Sequence, residues 1–149
     1  MKRYFYRPIL ELIFVFGLAA LIGGCGNSGE LAVENIRARS AASGQNGAVY
    51  FVIDNKTRQD DILLEVRGGI AEAVEIHLSE MDENSVMSMA RQESVSVPAR
   101  NTVEFKPGGL HIMLIGIKNE LQAGDTFEVT LVFQNAGEVD LTVPVTDQP

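Results

Sequence analysis

Two histidines and a group of methionines are the side chains in this sequence best suited to hold a soft metal ion, and they are not scattered. His77 and His111 are the only histidines in the 149 residues. Met81, Met87 and Met89 follow the first, and Met113 follows the second two positions on. Apart from Met1 these are all the methionines of the chain. Methionines that only fill gaps in a core have no reason to gather around histidines. A neutral imidazole and a thioether are polarisable donors that together suit Cu(I), whereas Zn²⁺ favours thiolate or carboxylate. His111 and Met113 lie in Pro107-Gly108-Gly109-Leu110-His111-Ile112-Met113-Leu114-Ile115-Gly116. Pro-Gly-Gly marks a turn, and the apolar, β-branched run after it reads as a buried strand. On a strand, residues two apart point to the same face, so His111 and Met113 would form half of a site. A core histidine beside a gap-filling methionine is the plainer reading of that stretch taken alone. Four donors would be complete with His77 and one of Met87 and Met89; these two also share a strand face, and spacing does not choose between them.

The elements that must position these donors are strands. Segments 31–38, 48–54, 62–66, 71–78, 86–90, 94–97, 102–105, 126–133 and 138–145 are short and rich in Val, Ile and Phe, and turn signals separate them. A polar turn is expected over 80–85, a loop over 118–125 and a hairpin turn at Asn135-Ala136-Gly137. Strands recurring every eight to twelve residues, with no long helical period and no repeat, predict an all-β sandwich or barrel.

The N-terminus reads differently. Lys2, Arg3 and Arg7 precede an uncharged apolar run over 12–24, too short for a comfortable membrane span and arranged as a secretory leader. It ends at Ile22-Gly23-Gly24-Cys25, which resembles a bacterial lipobox with Ile in place of the commoner Leu. Cys25 is the only cysteine, placed where a lipid anchor needs it. The expected organisation is a lipoprotein signal peptide over 1–24, a tether over 25–30 and one folded domain over 31–146. The formal net charge is −8, and loss of the basic leader makes the remainder more acidic. That argues against nucleic acid as a partner and against electrostatic binding to anionic lipid; acyl chains would do the anchoring. With no cysteine in the body, a soft-metal site outside the cytoplasm must draw its sulfur from methionine, which disulfide formation cannot remove.

The whole pattern resembles the PCu(A)C family of periplasmic copper chaperones. The family signature is a histidine, an optional methionine, ten residues, a methionine, twenty-one residues and then His-X-Met. His77, Leu78 at the optional position, Met89 and His111-Ile112-Met113 meet it without a gap. The surroundings agree as well: Val74-Glu75-Ile76-His77, Val86-Met87-Ser88-Met89 and Lys106-Pro107-Gly108-Gly109. The likeness extends over about residues 31–145 and is specific, because four donors and two long spacings must agree together. One departure is Asn35-Ile36-Arg37 where the family carries an aromatic residue before arginine.

The resemblance implies a cupredoxin-like Greek-key β-barrel binding Cu(I) through His77, Met89, His111 and Met113, with Met89 preferred to Met87 by analogy. The lipobox implies a membrane-anchored lipoprotein outside the cytoplasm, lipidated at Cys25, and the protein is expected to be monomeric. By the family resemblance, its copper would go to the CuA subunit of cytochrome c oxidase, alongside or through a Sco-type protein. A second, C-terminal Cu(II) site is not expected. An enzyme is not expected either, for no acid–base pair or nucleophile motif accompanies the histidines. A blue-copper electron carrier would need a cysteine thiolate. Copper buffering, or a metal-independent β-sandwich interaction module, are the alternative roles.

Overall fold

Alternation of apolar and polar residues builds the chain into ten strands, seen in a computed structural model that describes residues 29–81 and 86–147. They are β1 (Leu31–Arg39), β2 (Gly47–Asn55), β3 (Asp61–Gly68), β4 (Ala71–Met81), β5 (Met87–Gln92), β6 (Val95–Val97), β7 (Asn101–Phe105), β8 (Leu110–Ile117), β9 (Thr126–Phe133) and β10 (Gly137–Thr146). The expected leader and Cys25 lie outside the described residues. The strands form one sheet in the order β5-β4-β8-β7-β2-β1-β10-β9-β3-β6, with β8 also paired to β2. The sheet nearly closes on itself as a cupredoxin-like Greek-key β-barrel, as expected for the fold class. Sequence-distant neighbours such as β4–β8 and β3–β9 make the Greek-key crossings. The join between the two halves is the short parallel pairing of Ala38 and Arg39 with Val145 and Thr146.

Period-two patterning explains the core. Val49, Phe51 and Ile53 of β2 point inward, as do Phe127, Val129, Leu131 and Phe133 of β9. Phe51 lies directly across from Phe105 of β7, their rings stacked with centroids 4.3 Å apart. From β8, Ile112 and Leu114 enter the same core, and Ile76 comes from β4. His111 and Met113 alternate with them and therefore belong to the opposite, outer face of the barrel wall.

Some local details go beyond the sequence expectation. Glu80 and Met81 are not in a turn: β4 continues through them because their partners Ser88 and Met87 extend the β5 ladder. β5 itself runs on to Gln92 rather than ending at Ala90. At Asn35-Ile36-Arg37 the β1–β2 register shifts, with Asn35 at φ 56°. Asn tolerates this left-handed conformation better than most residues, so the departure from the family pattern is a β-bulge. Beyond it Arg37 stands opposite Tyr50 with its guanidinium 5.6 Å from the ring centre.

The stacked pair anchors the wall against which β8 is laid. Phe51→Ala is expected to lower the unfolding free energy by about 3–5 kcal/mol, the usual range for truncating a buried Phe, as measured by denaturant unfolding followed by circular dichroism.

Candidate metal centre

The two histidines, thirty-four positions apart in sequence, are direct cross-strand partners: His77 of β4 opposes His111 of β8. Directly opposed side chains share a face, and here the ring centroids are 6.0 Å apart with planes inclined at 52°. A metal–imidazole bond of about 2 Å puts each ring centre roughly 3 Å from a shared ion, so this spacing fits two rings bound to one ion at a wide angle. His111 is 6% exposed and the His77 side chain 16% exposed, both nearly withdrawn from solvent on the outer face.

Each ring has one nitrogen fixed by an acceptor. The Pro107-Gly108-Gly109 turn, with Gly108 at φ 75°, brings the Gly109 carbonyl back toward β8. There it accepts a 3.0 Å hydrogen bond from His111 Nδ1 and another, 3.1 Å, from the Ser79 backbone N–H of β4. A carbonyl can only accept, so Nδ1 carries the proton and Nε2 keeps its lone pair. On β4, His77 Nε2 donates to Glu75 Oε2 at 2.9 Å. That leaves His77 Nδ1 with the lone pair, and this atom is buried with no hydrogen-bond partner among the described residues. A buried polar nitrogen without a partner is costly and uncommon in native proteins. The donor chemistry therefore fits a metal ion: one bare imidazole nitrogen on each strand, each ring oriented through its other nitrogen.

Glu75, which the sequence pattern shows only as a neighbour of His77, orients that ring. Its position two before His77 on the same strand face is the signal that identifies it. The hydrogen bond from His77, helped by Arg91 with Nη1 3.3 Å from the other oxygen, holds the Glu75 carboxyl below the usual carboxylate range. Arg91 is itself the β5 partner of His77. The Gly109 carbonyl was also missed, since a backbone acceptor has no side-chain signature.

The methionines take different places around this pair. Met113 opposes Glu75, one step along the same face of β8, and is half-buried. It borders a surface cavity of about 300 Å³ shared with Arg39, Ala48 and Tyr50. Met89 opposes Ser79, one same-face step from the Arg91–His77 pair, a diagonal distance of about 7–8 Å that a long side chain can span. Met87 opposes Met81, a further same-face step away. The register thus brings Met89 nearer to the imidazoles than Met87. Among the described residues no three His, Cys, Asp or Glu side chains gather as a metal site, so the donors available here are imidazole and thioether.

The hydrogen bonds fix opposite tautomers for the two rings. Nitrogen-15 spectra of the metal-free protein near neutral pH should show His77 protonated at Nε2 and His111 at Nδ1. Glu75→Ala should release the His77 preference while leaving His111 unchanged; identical tautomers in the parent protein would contradict the arrangement.

The chain is similar to several proteins of known structure or sequence. It aligns with the copper-bound PCuAC domain from PmoF2 at 26% identity and a TM-score of 0.67, over 81% of this chain and 96% of that one. The solution structure of CuI-DR1885 from Deinococcus radiodurans aligns at 25% identity and a TM-score of 0.58, over 83% of each chain. A putative lipoprotein of Leifsonia xyli subsp. xyli is 28% identical over 109 residues. An uncharacterized protein of Rickettsia prowazekii is 31% identical over 101 residues. The chain spans 65% and 55% of the length of these two relatives. The family described as "Putative lipoprotein LpqE-like" matches residues 31–145, from the first strand to the last. With the PCuAC fold around it, that match makes this chain a member of the LpqE-like, PCuAC-related family.

Proposed function

We infer that this protein is a lipid-anchored, extracytoplasmic carrier of Cu(I). The ion would be held by His77 Nδ1, His111 Nε2 and the sulfurs of Met89 and Met113. The observation that carries this reading is the buried His77 Nδ1, without a hydrogen-bond partner among the described residues, on a ring whose centroid lies 6.0 Å from that of His111, where Nε2 is likewise left with its lone pair. Two neutral nitrogens and two neutral sulfurs match a soft monovalent ion better than a hard or divalent one. The copper-bound PmoF2 domain supports copper as the metal, the CuI form of DR1885 supports its monovalent state, and the lipoprotein description of the family supports the anchor. Cys25 would carry the lipid.

Such a site is suited to carriage rather than catalysis. Neutral donors near a surface hold Cu(I) well enough to exclude it from solution, yet yield it to a recipient offering thiolates, which are stronger donors. We assign the CuA centre of cytochrome c oxidase as the recipient, reached directly or through a Sco-type protein. Transfer to an isolated CuA domain separates delivery from simple buffering.

Under anaerobic conditions the apo protein should withdraw one tightly held Cu(I) per chain from a weak chromophoric chelator. His111→Ala or Met113→Ala should weaken that affinity at least about tenfold, the lower end for disturbing a metal site. X-ray absorption should report both nitrogen and sulfur neighbours. Failure of the parent protein to compete with the chelator would overturn the reading.

A further inference from the structure

Two of the methionines gathered around His77 are not used by the proposed site. Among the described residues, the exposed large apolar side chains are Leu64, Met81, Val86, Met87 and Met89. The three methionines among them are 64%, 55% and 60% exposed. They are also neighbours by register: Met81 of β4 opposes Met87 of β5, and Met89 opposes Ser79. Three thioethers thus occupy three corners of a two-by-two cross-strand block. Residues 77, 79 and 81 alternate on one face of β4, so this block lies on the same face as His77 and continues outward from it. Opposed Cβ atoms are about 4.5–5.5 Å apart. Met has three rotatable bonds beyond Cβ or leading to it, so two sulfurs can close on one ion at about the 2.3 Å of a metal–sulfur bond.

We propose that Met81, Met87 and Met89 form a second, outer site for a soft monovalent metal ion, with Met89 common to it and to the imidazole site. The outer donors are all thioethers, which select Cu(I) or Ag(I) and give little hold on Zn²⁺, Mg²⁺ or Ca²⁺. The acidic chain, at formal net charge −8, favours the approach of cations to such a surface. An ion captured by Met81 and Met87 lies one same-face step from Met89, and Met89 lies one further step from the His77 register pair. The outer site is therefore a landing point from which the ion passes inward by exchange of one sulfur donor at a time, with no change of oxidation state. The inward passage rests on the inferred Cu(I) function; the outer site itself does not.

The test uses the full chain carrying Cys25→Ser, so that no thiol competes, with ¹³C-labelled methionine methyl groups, ¹⁵N-labelled histidine rings and Ag(I) as a redox-inert probe. In a His77→Ala/His111→Ala background, the Met81, Met87 and Met89 signals should shift together and saturate. Met81→Leu/Met87→Leu, a change of similar volume at exposed positions, should weaken that binding at least tenfold. The same pair of changes in the parent protein should leave the response of Met113 and the imidazoles intact. If Met81 and Met87 stay unmoved while the imidazoles and Met113 respond, the outer site is wrong and the inner one stands; a surface that only docks a protein gives this result. If Met81 and Met87 respond while the imidazoles do not, the outer site stands and the inner assignment falls. Silence from all of them overturns both.

Discussion

The register of β4 against β8 is the constraint on which the site depends. His77 faces His111 only because Ile76 pairs with Ile112, Leu78 with Leu110 and Val74 with Leu114 on the other side of the same ladder. Of these, Ile76, Ile112 and Leu114 belong to the core, and Val74 and Leu110 pack against it. A slip of one residue would turn Ile112 and Leu114 outward and His111 inward. The hydrophobic cost of such a slip is what holds the two imidazoles together. The core thus specifies the outer face: no interaction between the histidines themselves is needed to place them.

Orientation comes from a second layer of contacts that is polar and local. One ring is tied to a backbone carbonyl delivered by a glycine turn, the other to a carboxylate two residues away on its own strand. Both ties act on the nitrogen remote from the proposed ion, and both oblige the other nitrogen to keep its lone pair. The two histidines consequently present different atoms, Nδ1 from β4 and Nε2 from β8. In the metal-free protein the orphaned His77 Nδ1 is a standing cost, of the order of 1–3 kcal/mol for a buried polar group without a partner. A ligand at that atom removes the cost, which biases the site toward occupation without any movement of the backbone.

Much of this was legible in the sequence, and the reason differs by element. β9 shows clean alternation and its bounds agree with the reading residue for residue, because one side of it is core and the other is solvent. β8 was recognisable from its turn and its apolar run. That run reads as buried, yet it conceals a two-faced strand, because His111 and Met113 are largely covered although they point away from the core. The sequence pattern ends β4 early because Ser79 and Glu80 look like turn residues; only the ladder with β5, a tertiary fact, carries the strand through them. Donor chemistry and the family spacing both join His77 to His111 in one site, but their direct cross-strand pairing is a non-local fact that neither contains. Glu75 and Gly109 were beyond side-chain pattern reading: one acts by orienting a neighbour and the other through its carbonyl.

The placement of the donors also bears on how an ion would leave. The imidazoles and Met113 sit on β4 and β8, strands paired on both sides. Met89 sits on β5, the outermost strand of that half of the sheet, whose residues are exposed throughout most of its length. A site with three donors on the paired strands and one on the free edge has a side from which an incoming donor can approach. Loss of the edge sulfur would leave an ion bound by the proposed donors attached to the rigid face, under-coordinated and open to a stronger ligand. Exchange can then proceed one bond at a time, with the metal never released to water. Were all four donors on paired strands, the same set would hold the ion as firmly but offer a recipient no first bond to replace.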